Sequence, residues 1–421
     1  MLDPQLIRNN PNAIKQNTLE RNMDVTLIDS WIEVDNQKTQ LIKEIEKINK
    51  RKNEIADLLK DPKQRTQELI EEGKKLKIEL EPLALRLDEI ELQWNNLIHQ
   101  IPNIHSQHTP KGKSDKDNCT LREVGTKPSF TFKPKDHLTL MIDLDIIDFE
   151  TGAKLVGSQY YYLKNEAVLL DLALQKFGMD LFRQKGYELV ITPDLAKSRY
   201  YLGTGYAPRG DEAQIYEIDG EDLGLIATAE VTMAGYFADE ILSYSQLPKK
   251  FAALSHCYRK EAGAYGKYSK GLYRVHQFTK LEMFVYCVPE ESEAMHQELL
   301  AIEEEIAQKL GIPYRVLEMC SADLGAMAAR KFDLEAWIPS KNDYGEITST
   351  SNCTDFQARN LNIRYRDEAG HVKPLHMLNG TAIVLSRFPL AIIENYQQAD
   401  GSIKIPEVLV PYIGFSEIKK K

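Results

Sequence analysis

His256-Cys257-Tyr258-Arg259-Lys260-Glu261-Ala262-Gly263-Ala264-Tyr265-Gly266 opens a stretch that closes on Arg274-Val275-His276-Gln277-Phe278-Thr279-Lys280-Leu281-Glu282. Phe251 to Tyr258 and Val275 to Tyr286 read as strands, and Gly263 to Gly271 reads as a long loop between them. Two neighbouring strands joined this way run antiparallel, whereas a parallel pair needs a crossover of a dozen or more residues, usually a helix. Arg259 and Glu261 stand two apart, so on an extended strand their side chains share one face. An arginine there suits bidentate contact with a carboxylate or phosphate. The loop carries Lys267 and Lys270, and residues 256–281 hold six basic residues against Glu261 alone, a local charge of +5. Two readings stay open at this point: a solvated hairpin with a surface ion pair, and an anion site.

The surroundings have the same mixed texture. Gly186 to Pro193, Gly345 to Cys353 and Met377 to Leu385 read as further strands. Val168 to Gln184 and Met295 to Leu310 read as helices, the second ended by Gly311-Ile312-Pro313. Long connections and hairpin-like turns replace strict βαβ alternation, which predicts an α+β domain with an antiparallel β-sheet flanked by helices. No G-x-x-x-x-G-K-[ST] loop and no G-x-G-x-x-G after a strand is present. A nucleotide bound here must therefore have its phosphates held by arginine and metal. Glu346-Ile347-Thr348-Ser349 puts a carboxylate and a hydroxyl on a strand, a donor set that suits a hard cation such as Mg2+. Asn379-Gly380-Thr381-Ala382 leads through apolar residues to Arg387, just ahead of a helix opening at Phe388-Pro389. A cation is not favoured at a helix N-terminus, and an anion-binding role explains the misfit. Thr228-Ala229-Glu230 is a weak pattern by itself.

The first hundred residues are different: rich in Lys, Glu, Leu and Ile, and poor in Gly. Val34, Leu41, Ile48 and Ile55 recur every seventh residue, as do Leu69, Leu76, Leu83, Ile90 and Leu97, with Leu80, Leu87 and Trp94 offset by four. Two seven-residue stripes predict two long helices over about 27–98, broken at Asp61-Pro62-Lys63 and paired as an antiparallel hairpin, a coiled-coil arm. Helices of roughly 30–34 residues span about 45–50 Å at 1.5 Å per residue. Pro82 lies inside the second stripe, where it is expected to kink the helix or loosen its pairing. Such an arm serves either as a dimerisation coiled coil or as a probe for an extended partner. Residues 43–77 hold eleven basic and eight acidic residues, a net +3, densest at Lys47-Ile48-Asn49-Lys50-Arg51-Lys52. That favours phosphate contact.

The chain has 421 residues and a formal net charge of −10. A charge of that sign argues against a nucleic-acid partner until it is resolved by segment: the arm tip and the 256–281 stretch together carry +8, leaving −18 elsewhere. Five scattered cysteines form no C-x-x-C pair, which excludes a zinc ribbon and suits a reducing cytoplasm. No apolar run reaches membrane-spanning length, and the N-terminus lacks a signal-peptide core, so a cytoplasmic protein with no membrane partner is expected. The expected organisation is an arm domain over 1–104, a polar linker with short strands over 105–134, and an α+β domain over 135–421.

Taken in order, these pieces resemble the seryl-tRNA synthetases, a class II aminoacyl-tRNA synthetase family of bacterial and eukaryotic type. The arm is similar to the family's tRNA-binding hairpin, and Ile101-Pro102-Asn103 to its exit. Pro193 matches the proline closing motif 1, the dimer motif. Tyr258-Arg259-Lys260-Glu261 with Arg274-Val275-His276-Gln277-Phe278 matches motif 2, and Asn379 to Arg387 with Glu394-Asn395-Tyr396-Gln397 matches motif 3. The resemblance implies activation of L-serine with ATP and transfer to the 3′ end of tRNA(Ser), with tRNA(Sec) open as a further acceptor. It implies a homodimer, Mg2+, and an arm that binds the long variable arm of the tRNA. Arg259 would hold the α-phosphate and serine carboxylate, and Arg387 the γ-phosphate, with Arg274 assisting. Lys260, Ile347 and Thr348 fall in ATP-site segments. Glu261 and Val275 would contact adenine, Phe278 would stack on it, and Glu346 and Ser349 would ligate Mg2+. Thr228, Ala229, Glu230, Glu282 and Thr381 would form the serine site, while Lys47, Lys50, Arg51, Lys52, Lys267 and Lys270 would meet tRNA. Arg259, Glu261 and Arg387 are the implied catalytic set.

Two departures stand out. Ala382 and Ser386 replace motif 3 glycines, which is expected to narrow the strand surface facing ATP. Lys267-Tyr268-Ser269-Lys270 stands where an Arg-Asp-Thr-Arg pattern is more usual. A carrier-protein ligase of the same ancestry, or a non-catalytic RNA-binding paralogue, are the alternative readings. The first lacks the arm in its known forms, and the second is expected to lose Arg259, Glu261, Glu346 or Arg387.

Overall fold

The computed structural model describes residues 1–206, 215–261 and 270–420. It divides into two compact units, Met1–Pro102 and Asn103–Lys421.

The first unit begins with two short helices, α1 (Pro4–Asn9) and α2 (Pro11–Glu20), followed by the long pair α3 (Thr26–Leu58) and α4 (Gln67–Ile98). Asp3 caps α1 by accepting from the Gln5 N–H, and Thr66 caps α4 by accepting from the Leu69 N–H. Leu41, Ile48 and Ile55 of the first stripe are buried, and the second-stripe positions from Leu69 to Leu97 are half-buried or buried. Ile78, Leu85 and Leu92, off the stripe, are exposed. α4 runs through Pro82 as one helix, with Leu80 and Leu83 on either side still half-buried.

The hairpin's base is held by a polar contact that heptad counting passes over. Asp35, buried on α3, accepts two hydrogen bonds from the Arg8 guanidinium, both 2.7 Å, and one from Trp94 Nε1 at 2.8 Å. The Trp31 and Trp94 rings lie 5.5 Å apart beside it. Burial alone pushes the Asp35 carboxyl up, but the Arg8 and Trp94 hydrogen bonds outweigh it and hold its pKa below the usual carboxylate value.

The second unit is built on one eight-stranded sheet. In chain order its strands are β1 (Cys119–Val124), β2 (Glu188–Ile191), β3 (Lys249–Tyr258), β4 (Gln277–Cys287), β5 (Tyr314–Glu318), β6 (Arg330–Ile338), β7 (Asp343–Asn352) and β8 (His376–Val384). They lie side by side as β1-β5-β6-β7-β8-β4-β3-β2. Every pairing is antiparallel except β2 with β3, which is parallel. The α+β, antiparallel-sheet reading of the sequence holds. Residues 105–134, read as a linker, contain β1, which adds an edge strand to this sheet.

Helices α5 (His137–Asp143), α6 (Asn165–Gln184), α7 (Ser292–Lys309) and α9 (Arg387–Asn395) accompany the sheet, with the single-turn helix α8 (Phe356–Asn360) after β7. α7 packs on β7 and β8, and the main apolar core gathers Leu174 and Phe177 of α6, Ile306 of α7, Leu334 of β6 and Phe388 of α9.

Two register shifts decide what faces what. Between β6 and β7, Leu334 pairs with Thr348 and Glu335 with Glu346, so Ile347 is an extra residue. Between β4 and β8, Leu281 pairs with Ile383 and Glu282 with Thr381, so Ala382 is an extra residue. Each is a β-bulge, and each reverses the inside–outside alternation beyond it.

The Asp35 contact makes a direct prediction. Asp35→Ala strips a buried acceptor from Trp94 and a partner from Arg8, and is expected to destabilise the hairpin base by about 2 kcal/mol. Urea unfolding of the full chain, read by tryptophan fluorescence, measures this; an unchanged midpoint contradicts it. Because the folded-state pKa of Asp35 is lowered, its contribution is present at neutral pH and is lost as pH falls through that pKa.

Candidate active site

β3 and β4 pair from Tyr258–Gln277 down to Lys249–Tyr286, and beyond that end Arg259 N–H donates to the His276 carbonyl at 2.9 Å. The strand does not continue to Glu261, which has a left-handed backbone (φ 48°). Arg259 and Glu261 are therefore not a same-face strand pair, as alternation led us to expect. Instead Glu261 turns back and accepts from Arg274 Nη1 at 2.5 Å. The ion pair that the hairpin was expected to form at its surface forms across its mouth, between different partners.

Arg259 and Glu261 line an open cleft of about 450 Å³, a volume that suits a small-molecule ligand. Its floor comes from β4, β7 and β8. Phe278, Lys280 and Glu282 alternate along β4 and so share its cleft face. Thr381 stands directly opposite Glu282 on β8. On β7 the bulge at Ile347 lets Glu346 and Ser349 both line the cleft although they are three apart, a spacing that a regular strand would send to opposite faces. Thr228, Glu230, Arg274, Val275, Ile347, Thr348 and Arg387 complete the expected set that lines it.

The charges in the cleft are almost all matched. Arg387, the first residue of α9, pairs with Glu346 at 3.1 Å and lies 5.2 Å above the Tyr273 ring. Lys280 pairs with Glu282. Burial pushes the Glu346 carboxyl up, but the charges of Arg387, Lys331 and Arg259 outweigh it and keep its pKa below the ordinary value. Arg259 differs. Its Nε donates to the Ala227 carbonyl at 3.2 Å and its guanidinium sits 5.3 Å over the Phe278 ring, but among the described residues no carboxylate forms an ion pair with it.

Glu230 is buried. Its Oε1 accepts from Gln357 Nε2 at 2.7 Å and from Asn379 Nδ2 at 3.0 Å. Burial and the nearby charge of Glu282 push its carboxyl up to about 7, against the Gln357 hydrogen bond and the charges of Lys280 and Arg259.

Several expected residues lie elsewhere or are engaged by other partners. Lys260 points away from this cleft, with its ammonium 5.7 Å from the Tyr216 ring, on a neighbouring hollow. Ala229 is buried in an apolar cluster with Met233 and Phe251. Thr348 spends its hydroxyl on buried Glu303, at 2.9 Å. Ala382, expected to narrow the cleft, is the bulge residue and is fully buried in the main core; Ser386 does line the cleft. Lys270 is ion-paired to Asp136 at 2.8 Å, and Lys267 lies outside the described residues. In the arm, Arg51 bonds Glu72 across the hairpin at 2.8 and 3.0 Å, while Lys47, Lys50 and Lys52 are exposed.

Sequence reasoning left out Tyr206, Tyr273, Asp323, Met327, Lys331 and Asn379 as lining residues. Lys280 and Asn379 were open to inference: the first alternates with Glu282, and the second opens the Asn-Gly-Thr run on β8. Gln357 carried no signal, since it lies 127 residues from the carboxylate it touches.

A sheet of this topology, with an arginine between its β3 and β4 strands and another opening a helix after β8, defines a class II aminoacyl-tRNA synthetase. Residues 215–396 match the family model for the tRNA synthetase class II core domain (G, H, P, S and T), and residues 1–105 match that for the seryl-tRNA synthetase N-terminal domain. The chain belongs to the seryl-tRNA synthetase family. It is 51% identical to the serine–tRNA ligase of Dictyoglomus turgidum over 100% of both chains, and 50% identical to that of Treponema denticola over 99% of this chain and 100% of the relative. Among solved structures, seryl-tRNA synthetase from Pyrococcus horikoshii complexed with ATP superposes with a TM-score of 0.91 at 38% identity, covering 100% of both chains. The cytoplasmic serine–tRNA ligase of Naegleria fowleri in complex with AMP gives 0.86 at 33%, covering 100% of this chain and 99% of that one. A prolyl-tRNA synthetase from Giardia lamblia, at 14% identity, shares the fold over 65% of this chain with a TM-score of 0.56.

Proposed function

We propose that the chain joins L-serine to ATP as seryl-adenylate, releasing pyrophosphate, and then passes serine to the 3′ end of tRNA(Ser). The observation that carries this reading is the Arg259 guanidinium, which has no carboxylate partner among the described residues, between two differently equipped groups of side chains lining one cleft. In one group Thr228, Glu230, Glu282 and Thr381 offer carboxylates and hydroxyls to an amino acid's ammonium and hydroxyl. In the other, Arg274, Arg387, Glu346 and Ser349 suit a polyphosphate.

The chemistry asks little proton transfer of the protein. The serine carboxylate is already a nucleophile; it forms a bond to the α-phosphorus as the bond from that phosphorus to pyrophosphate breaks. Arg259 holds both reacting anions together and neutralises the charge that builds at the phosphorus, which is alignment and electrostatic stabilisation. Phe278 and Val275 receive the adenine, with Glu261 turned toward it. Glu346 and Ser349 suit Mg2+: the bulge brings their oxygens to one face, and Glu346 is held ionised. Among the described residues no group of three or more His, Cys, Asp or Glu could hold a metal, so phosphate and water oxygens would fill the rest of the shell. When bound, the ion supplies charge neutralisation to the phosphates. A buried site that hydrogen-bonds a substrate hydroxyl rejects the analogue lacking it by about 10⁴–10⁵, which would exclude alanine.

We assign Lys47, Lys50 and Lys52 of the arm to tRNA. Arg51 and Lys270 would have to exchange their carboxylates for phosphate. The homodimer is assigned to the exposed apolar face that includes Val168, Leu169 and Leu172 of α6 and Leu189 and Ile191 of β2, since a patch of that kind marks an interface. No helix among the described residues is long and apolar enough to cross a membrane, and the cytoplasm is the proposed location.

Serine alone among the amino acids is expected to drive ATP–pyrophosphate exchange. Glu230 must be ionised to receive an ammonium, and it titrates at about 7, so kcat/KM for serine is expected to fall up to about tenfold per pH unit below that. Robust exchange with another amino acid, or no acid limb near pH 7, contradicts the assignment. Deleting residues 40–80 is expected to leave exchange near normal and abolish tRNA charging; loss of exchange would make the arm structural instead.

A further inference from the structure

We propose that Gln357 is a positioning residue for serine recognition: its side-chain N–H fixes one oxygen of Glu230, so that the other is presented to the serine ammonium. This rests on the reading of Glu230 as the ammonium's partner.

Gln357 lies on the single-turn helix α8 and is fully buried. Its Nε2 makes its shortest contact with Glu230 Oε1, at 2.7 Å, and also donates to the Thr204 carbonyl at 3.0 Å. Asn379, from β8, donates to that same Oε1 at 3.0 Å. Two amides from different elements thus converge on one carboxylate oxygen. Oε2 takes neither bond.

The other end of the Gln357 amide shows what the residue is for. Its Oε1 is buried with no hydrogen-bond partner among the described residues. An orphaned buried acceptor opposes stability. A methionine would fill the same length of space without that cost, so packing does not explain a glutamine here. The donor end does. Glu230 sits where an ionised carboxylate is opposed: it is buried, and Glu282 on β4 carries a like charge nearby. Lys280 of β4 and Arg259 beyond β3 are the cations that face it, and the Gln357 hydrogen bond outranks both in favouring the charged form. Without Gln357, Glu230 would keep only Asn379 as an amide donor. Its carboxyl would then be freer to rotate and more readily protonated, and both changes weaken an ammonium site.

The test uses the full-length protein and ATP–pyrophosphate exchange. Gln357→Met removes the donor while keeping the side chain's length. It is expected to raise KM for serine at least tenfold and leave KM for ATP within twofold, in a folded protein whose thermal midpoint is lowered because the Thr204 carbonyl and Glu230 Oε1 each lose a buried donor. A serine KM within twofold of the parent overturns the proposal. So does an equal rise in both KM values, because that is general loss of structure. Gln357→Glu, which keeps the shape and sets a second carboxylate against Glu230, is read by the same split and decides the matter if Gln357→Met does not fold. Glu230→Gln separates the two layers of the argument. If it leaves the serine KM unchanged, the underlying reading of the pocket fails. If it raises that KM and Gln357→Met does not, only the present inference fails.

Discussion

The catalytic unit is organised around a half-buried cation with which no carboxylate among the described residues forms an ion pair. Arg259 is fixed by the Ala227 carbonyl and by the Phe278 ring, contacts that aim a guanidinium without neutralising it. Around it, Arg274 is matched by Glu261, Lys280 by Glu282 and Arg387 by Glu346. A cation held this way costs desolvation energy, a cost that an anion in the cleft would offset.

The sheet makes that arrangement possible by breaking its own alternation twice. Were Ile347 paired in regular register, Glu346 and Ser349 would face opposite ways; were Ala382 so paired, it and not Thr381 would stand opposite Glu282. Bulges of this kind re-aim side chains. Here they bring Glu346 with Ser349, and Glu282 with Thr381, onto one cleft from strands that neighbour one another in the sheet. The bulge residues themselves are buried apolar side chains, so packing pins the register on which the site depends.

Much of this architecture was legible in the residues. The seven-residue stripes foretold α3 and α4 because a coiled-coil seam repeats by the same rule along its whole length. The strands around Arg259, Glu346 and Asn379 were visible from apolar texture. What escaped was non-local. Nothing in Glu261 announces a left-handed backbone, and nothing in Ala382 announces a bulge, so the first was misplaced on a strand and the second in the cleft. Alternation also failed to show that Asp35 on the arm would be a buried hub. The charge argument sharpened most. Of the basic residues between 256 and 281, Lys270, Arg274 and Lys280 are already paired, as is Arg51 in the arm. Net charge by segment finds the basic regions, but pairing decides which cations are free to act.

On the proposed function, Arg259 is a preorganised fork for two anions and not merely a positive charge. Arg259→Lys keeps the charge and removes the fork. The decisive measurement is kcat for serine-dependent ATP–pyrophosphate exchange by that variant, with folding checked by thermal midpoint. The account predicts a fall of about 10²–10³-fold at an unchanged midpoint, the scale of one preorganised contact to developing charge. A well-folded Arg259→Lys protein that retains near-parental exchange would contradict it.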